Sequence, residues 1–316
     1  MALSKKIKTK VLIVNRGSSS LKIAVYNGSQ EVGTVTSKSP DTSLASLMKR
    51  MSADMSVDLL AGIDSCGIRV VAPGTFFTKD KFITSGYMTK LRQLAREQEL
   101  FVADTIRDIT YLKKIMPTAQ LIALSDSVFH ATIPSYARVY GIAPFLTRTH
   151  DLYRFGYHGI SCASIIEKLS RGLFKGKKLP SRIIICHAGG GTSITAVRDG
   201  ISVDTSMGYS PLSGVMMSTR SGDIDPAIVV QLMKKLNKSS TEVVALLAYA
   251  SGSESFSSVK QARQIYLYQI QKFIGSYTAV LGGVDLIVFT GGRGEHDAVF
   301  RQEVCERLAG ISVDSK

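Results

Sequence analysis

Apolar runs of four to six residues, set between small polar loops, divide this chain into predicted strands. Val11, Leu12, Ile13 and Val14 predict one strand. Asn15-Arg16-Gly17-Ser18-Ser19-Ser20 follows as a polar loop, and residues 21–26 predict a second strand that ends at Asn27-Gly28. The same order returns later. Ile183 to Cys186 predict a buried strand, Gly189-Gly190-Gly191 a loop, and Thr192 to Val197 another strand. Arg198-Asp199-Gly200 closes it, because Asp-Gly readily supplies a positive φ. Two distant copies of strand, loop, strand and turn predict two similar half-domains facing a cleft, each offering a loop to a polyphosphate.

Further strands are expected at residues 68–71, 121–124 and 285–290, the last one buried. Helical periodicity predicts a helix within residues 41–63 and one long helix from Met88 to Met116, stopped by Pro117. Helices are also expected after Asp225-Pro226 as far as Leu236, over residues 242–250, and over residues 261–280 before Gly282-Gly283. Strands alternating with helices make this an α/β chain, with a domain junction expected near residue 150.

Composition narrows the picture. A chain of 316 residues has room for two domains with substantial cores. Its 45% hydrophobic and 20% charged content fits an ordinary globular protein. No apolar run approaches the roughly 20 residues that span a bilayer. The basic N-terminal stretch leads into a strand rather than a signal peptide's apolar core. Cys66, Cys162, Cys186 and Cys305 have no paired spacing, which points to a reduced, cytoplasmic protein without a zinc site. The net charge of +14 suits anionic substrates, and no aromatic-interleaved basic motif supports nucleic-acid binding.

Several residues are candidates for chemistry. Glycine loops let backbone N–H groups approach an anion, because no Cβ intervenes. Arg220, in Thr219-Arg220-Ser221-Gly222-Asp223, offers a guanidinium that clamps phosphate or carboxylate oxygens, or simply an exposed arginine beside a hairpin. Asp126 follows a strand end, where α/β sites form, although a helix cap is the commoner role. Arg69 reads as an anion ligand or an exposed strand arginine, and His158 as a hydrogen-bond donor or a packed core histidine. Gly291-Gly292 reads as a backbone turn against a nucleotide or an ordinary strand-to-helix connection.

Residues 15–22 have the form N-x-G-S-S-S-x-K, residues 204–208 read DTSMG, residues 219–226 read TRSGDIDP, and residues 288–295 read VFTGGRGE. In this order, from about residue 11 to about residue 305, they resemble the acetate kinases, the acetokinase family of the acetate and sugar kinase/heat-shock/actin superfamily. The resemblance implies two similar actin-like (ribonuclease H-like) domains, each a mixed β-sheet flanked by helices, with a central nucleotide cleft. Residues 1–150 would form the acyl and phosphoryl side, and residues 151–316 the nucleotide side, through which the family forms homodimers. The implied reaction is reversible transfer of the ATP γ-phosphoryl group to acetate, with Mg²⁺ or Mn²⁺ as cofactor.

The resemblance assigns residues as follows. Arg69, Asp126, His158 and Arg220 would act at the transferring phosphoryl group, and Arg69, Val71, Tyr157 and Pro211 would hold the acyl substrate. Ser18, Ser20, Lys22, His187, Ala188, Gly189, Gly190, Gly191, Gly291, Gly292, Arg293, Gly294 and Glu295 would contact ATP, and Asn15 would lie near the metal. The chain also departs from the family pattern. Ala72 replaces a histidine, and Glu97 and Gln98 align with a leucine–histidine pair. Gly190 replaces a phosphate-contacting asparagine, and Ser255 and Ser257 align with an Asp and an Arg near the adenosine. His296 replaces the asparagine of the family's last glycine motif. The family's further strand and helix, with a glutamate that helps place Mg²⁺, would follow the last residue of this sequence. Two other readings stand beside the kinase: a catalytically impaired relative that serves as a binding module, and a kinase with a different phosphoryl donor.

Overall fold

The computed structural model describes residues 9–17, 20–39, 42–55, 62–97, 102–308 and 310. The chain divides into two compact units, residues 1–72 with 79–125, and residues 73–78 with 126–316. The junction expected near residue 150 therefore falls inside the second unit, whose main segment begins at Asp126.

The first unit contains β1 (Lys10–Arg16), β2 (Leu21–Asn27), β3 (Gln30–Ser37), α1 (Leu44–Met55), β4 (Ser65–Val70), β5 (Lys81–Phe82), α2 (Ser85–Arg96), α3 (Val102–Ile115) and β6 (Gln120–Ser125). Its sheet has the order β3-β2-β1-β4-β6-β5. β1 pairs antiparallel with β2 and parallel with β4, so the sheet is mixed. Alternation along β1 sends Leu12 and Val14 into the core while Val11 and Ile13 are only half-buried. The helices explain that side: Leu44, Leu47, Met48 and Met51 form the buried stripe of α1, and Val102, Thr105, Ile109 and Leu112 that of α3. On the opposite face, Val11, Ile13, Asn15, Lys22, Ala24 and Tyr26 line an open depression of about 480 Å³.

The second unit contains α4 (Ser135–Arg138), α5 (Pro144–His150), α6 (Gly159–Arg171), β7 (Arg182–Ala188), β8 (Thr192–Arg198), β9 (Ile201–Thr205), α7 (Pro226–Leu236), α8 (Ser240–Tyr249), α9 (Val259–Leu281), β10 (Leu286–Thr290), α10 (Gly291–His296) and α11 (Ala298–Glu306). Its sheet has the order β10-β7-β8-β9, with β7 antiparallel to β8 and parallel to β10. Helices cover both faces. Ile184, Cys186, Ile194 and Ala196 pack with Tyr266, Leu267, Ile270 and Ile274 of α9 and Phe300 and Val304 of α11. Ile183, Ile185 and Val197 point the other way, towards Cys162, Ile165, Ile166 and Leu169 of α6. Two-sided burial is why β7 reads as an apolar run rather than an alternating one, and why Thr192, Ser193 and Thr195 of β8 are buried along with its apolar residues. Among the described residues, no helix is long and apolar enough to cross a membrane.

Local chemistry sets the helix ends. The Asp225 side chain accepts from Ala227 N ahead of Pro226, and Asn237 ends α7 at φ 50°. Ser239 and Glu242 form a reciprocal capping box on α8. Gly282 ends α9 at φ 73°. Three expectations need correction. The helix expected from Met88 to Met116 is two helices, α2 and α3, with Glu97 closing the first. The strand expected to be buried at residues 285–290 is β10, an edge strand whose five residues are all half-buried. Val71 lies just beyond β4 rather than within it.

Candidate functional site

In the first unit the loop grows out of the β1–β2 hairpin. Asn15 stands directly opposite Lys22 in the antiparallel register, and both side chains are exposed on the face with the open depression. The last pair is Arg16 with Leu21, after which Gly17 N donates to Ser20 O at 2.8 Å and closes the turn. Ser18, an expected phosphate ligand, lies outside the described residues, as does Gln98. Arg69 is the fifth residue of β4, and its Nη1 donates to Arg16 O at 3.0 Å. Its guanidinium therefore lies against the first peptide of the loop, not at the freely exposed strand position that was the alternative reading. The Asn15 amide carries an oxygen of the kind that ligates hard cations, whereas the Lys22 ammonium opposite it attracts anions. Among the described residues, no three His, Cys, Asp or Glu side chains are grouped to hold a metal by themselves.

The second unit brings more of the expected residues together. β7 and β8 end at the pair Ala188 and Thr192, and Gly189 N donates to Gly191 O at 2.9 Å across the loop. His187, the penultimate residue of β7, stacks on His158 with ring centroids 4.1 Å apart and planes at 28°. Each ring is held from below. His158 Nδ1 lies 3.0 Å from Ser193 Oγ, and His187 Nδ1 lies 2.9 Å from Ser161 Oγ. The outer nitrogens then face glycines. A Cβ added at Gly191 would meet His158 Nε2 at 3.1 Å, and one added at Gly291 would meet His187 Nε2 at 3.1 Å.

His158 has φ 59°, in the left-handed region that residues other than glycine rarely occupy. Asp126 holds it there: Oδ2 accepts from His158 N at 2.8 Å, and the Asp126 carbonyl accepts from Gly159 N at 2.7 Å. Asp126 therefore fixes the turn into α6, 32 residues further along the chain. A second histidine braces the same turn. His130 Nε2 lies 2.9 Å from Tyr157 O, and His130 Nδ1 lies 2.9 Å from Ser202 Oγ. Burial lowers the pKa of His130 to about 4, so it is neutral near pH 7.

Arg220 is buried, only 5% exposed, where an exposed arginine was the competing reading. Its Nη1 donates to Pro211 O at 3.1 Å and lies 3.6 Å from the position a Gly191 Cβ would take. Arg220, His158 and the glycine loop therefore converge. Tyr157 is fully buried and donates to Tyr209 O at 2.6 Å, two residues before Pro211. The parallel pairing of β7 with β10 sets Gly291 beside the loop, where an added Cβ would meet Ala188 O at 2.7 Å. Arg293 stands over the Tyr266 ring at 5.2 Å, and Tyr266 shares a 2.8 Å hydrogen bond with Thr192 Oγ1. Gly294 is buried against Phe289, whereas Glu295 and Gly292 are exposed. Ser255 donates to Gly252 O within its own short turn.

Sequence reasoning missed Ser161 and Ser193. Ser161 follows His158 at helical i,i+3 spacing, and Ser193 immediately follows the pair that ends β7 and β8, but only the fold shows which nitrogen each one meets. Burial pushes the thiols of Cys162 and Cys186 up to about 12, which leaves no reactive thiolate beside the histidines. The arrangement offers fixed cationic and N–H groups around a glycine loop, which suits binding of a multiply charged anion.

Comparison with known proteins gives a consistent result. The model of the acetokinase family matches residues 27–316. An acetate kinase of Clostridium acetobutylicum is 37% identical over 276 residues, covering 80% of this chain and 68% of the relative. One of Limosilactobacillus fermentum is 38% identical over 273 residues, covering 80% of this chain and 68% of the relative. Among solved structures, a propionate kinase from Francisella tularensis superposes with a TM-score of 0.83 at 30% identity, covering 96% of this chain and 88% of its own. The acetate kinase of Entamoeba histolytica superposes with a TM-score of 0.79 at 27% identity, covering 97% of this chain and 88% of its own.

Proposed function

This chain belongs to the acetokinase family, and from that premise we propose that it transfers the γ-phosphoryl group of ATP to acetate, giving acetyl phosphate and ADP by direct in-line transfer. The observation that carries the reading is the convergence of Arg220 and the stacked pair His158–His187 on the loop Gly189-Gly190-Gly191.

Acetate is ionised at pH 7, so the nucleophile has no proton to lose. The barrier lies in bringing one anion against another. Phosphoryl transfer passes through a loose, highly charged state, and positioning with fixed positive charge supplies most of the catalysis. In this reading Arg220 neutralises the equatorial oxygens, and burial strengthens it, because it is already desolvated in the free protein. His158 donates from Nε2 to the moving group while Ser193 engages Nδ1. His187 and the backbone N–H groups of residues 188–191 hold the ATP phosphates, with Gly291 to Glu295 beside them. Asp126 orients His158 rather than acting as a base, since its Oδ2 already accepts the His158 N–H. The first unit contributes Arg69 to the acyl carboxylate and Ser18, Ser20 and Lys22 to the phosphates. When bound, Mg²⁺ would neutralise phosphate charge, and Asn15 is the residue that would lie near it, with most ligands from water and substrate.

Val71, Tyr157 and Pro211 would limit acyl length, although one methylene discriminates by only about 1–3 kcal/mol. The likeness to a propionate kinase supports a short-chain rather than strictly acetate acceptor. The apolar helix α7, with Ile228, Val230 and Leu236 exposed, supports a homodimer formed through the second unit. Four free thiols fit a reducing, cytoplasmic setting. The direct test is hydroxamate-trapped acetyl phosphate formed from acetate, ATP and Mg²⁺, with Arg220→Ala as the control. Turnover that vanishes in the variant supports the kinase. ATP binding without turnover would replace it with a binding module, in which Gly190 and Ser255 are the first residues to restore to the family's types.

A further inference from the structure

The last residue of β1 and a carboxylate on α3 form an arrangement that the proposed reaction has not yet used. Alternation along β1 puts Arg16 on the same face as Leu12 and Val14, towards the helices, while Asn15 points to the opposite face. On α3, Asp108 falls in the buried stripe with Val102, Thr105, Ile109 and Leu112. A carboxylate on such a face needs a partner, and Arg16 supplies one. Its Nε meets Asp108 Oδ2 at 2.7 Å and its Nη2 meets Oδ1 at 2.9 Å, with the side chains only 13% and 6% exposed. Arg16 also reaches Thr42 O from Nη1 and Nη2 at 3.3 Å.

The Arg16–Gly17 peptide that this fork anchors is engaged at both ends. Gly17 N donates to Ser20 O, and Arg16 O accepts from Arg69 Nη1 at 3.0 Å. A planar, two-point pair fixes rotation as well as distance, which a single point charge does not. We propose that Arg16 and Asp108 are positioning residues for Arg69, with the buried fork on the helix side of β1 holding the carbonyl that sets the Arg69 guanidinium against the loop. Through Arg69 their effect then falls on capture of the acyl carboxylate, beyond any effect that the loop carrying Ser18 and Ser20 passes to the nucleotide. This inference rests on the acetokinase reading of Arg69.

The test replaces the pair by apolar residues of similar size, Arg16→Met with Asp108→Leu, because removing one partner alone strands a buried charge. The double variant is expected to unfold in urea at or above the parent's midpoint. Its KM for acetate should rise on the order of tenfold, as expected for a mispositioned carboxylate ligand, and by a larger factor than its KM for ATP. Arg16→Lys in the otherwise unchanged chain should raise the acetate KM as well, because an ammonium cannot form the fork. A ¹⁵N spectrum of arginine side chains gives a second readout that needs no turnover. Slowed rotation of the Arg69 guanidinium in the parent should speed up in the double variant. A folded double variant with unchanged acetate KM and an unchanged Arg69 signal would make the pair purely structural. A parent without turnover would overturn the kinase reading alone, and the Arg69 signal would still decide the role of the fork.

Discussion

The two hairpins that carry the loops, β1–β2 and β7–β8, share one backbone plan and differ in what surrounds them. Each strand has seven residues, and each first strand is antiparallel to the second and parallel to a later one, β4 or β10. Each second strand carries a register shift against the third between its fifth and sixth residues, at Val25/Tyr26 and Ala196/Val197. A shared irregularity is stronger support for a repeated module than shared regular strands, which any sheet supplies. Yet β7–β8 is packed on both faces, whereas β1–β2 leaves Val11, Ile13 and Tyr26 around an open depression. All five histidines of the chain lie in the second unit. The same fold device thus sits in a sheet packed on both faces in one place and on a more open strand face in the other.

The sharpest way to break this contrast is at the two arginines. Arg220→Ala should lower turnover by about 10²–10³-fold, because a buried fixed charge at the transferring group is removed. Arg69→Ala should act mainly on the acetate KM. Equal effects of the two changes on both parameters, in the hydroxamate assay, would dissolve the division of labour.

Acid should separate the units next. Unfolded, His130 takes up a proton below about pH 6.5, while the buried folded form resists until about pH 4. The unfolded state binds the extra proton in that window, so the stabilisation is complete above pH 6.5 and is lost as pH falls to 4. The difference corresponds to roughly 3 kcal/mol. Hydrogen exchange corrected for intrinsic rates should show β8 losing protection between pH 6.5 and 4.5, and His130→Gln should flatten that dependence. Parallel loss in β2 and β8, unchanged by the substitution, would count against it.

Loop glycines give a smaller contrast. An alanine at Gly191 would press on the stacked histidine at 3.1 Å, whereas at Gly17 the nearest atom is 3.5 Å away. Urea unfolding should show a loss of about 1–2 kcal/mol for Gly191→Ala and within about 0.5 kcal/mol for Gly17→Ala. The reverse order would mean that the second loop is the looser one. Smallest of all, Thr84→Ala on α2 and Ser239→Ala on α8 each remove an N-cap, and each should cost about 1 kcal/mol by the same measurement, independent of which unit holds it.

The hairpins were legible in the sequence because apolar runs and glycine-rich loops carry a local signal. β3 and β9 were not, because β3 is largely exposed and polar and β9 is only five residues long. The division between α2 and α3 was hidden because no glycine or proline interrupts the sequence from Arg96 to Val102. Arg69, Asp126, His158 and Arg220 could be named from motif resemblance, but their neighbours could not. Whether Arg220 is buried, and which serine meets which imidazole, depends on strands and helices distant in sequence. The Arg16–Asp108 fork spans 92 residues and leaves no local trace.

The paired register shifts also bear on how such a chain can change over time. The first hairpin joins its strands with four residues and the second with three, yet both keep seven paired positions. Turns of two different lengths thus close hairpins of the same paired length, and in each the apolar pattern of the strands agrees with the register that the turn sets. A tip can therefore change length only where the same seven pairs re-form, because a one-residue slip would turn every inward-facing side chain outward; within that rule the two halves can diverge at their tips while their cores stay as they are.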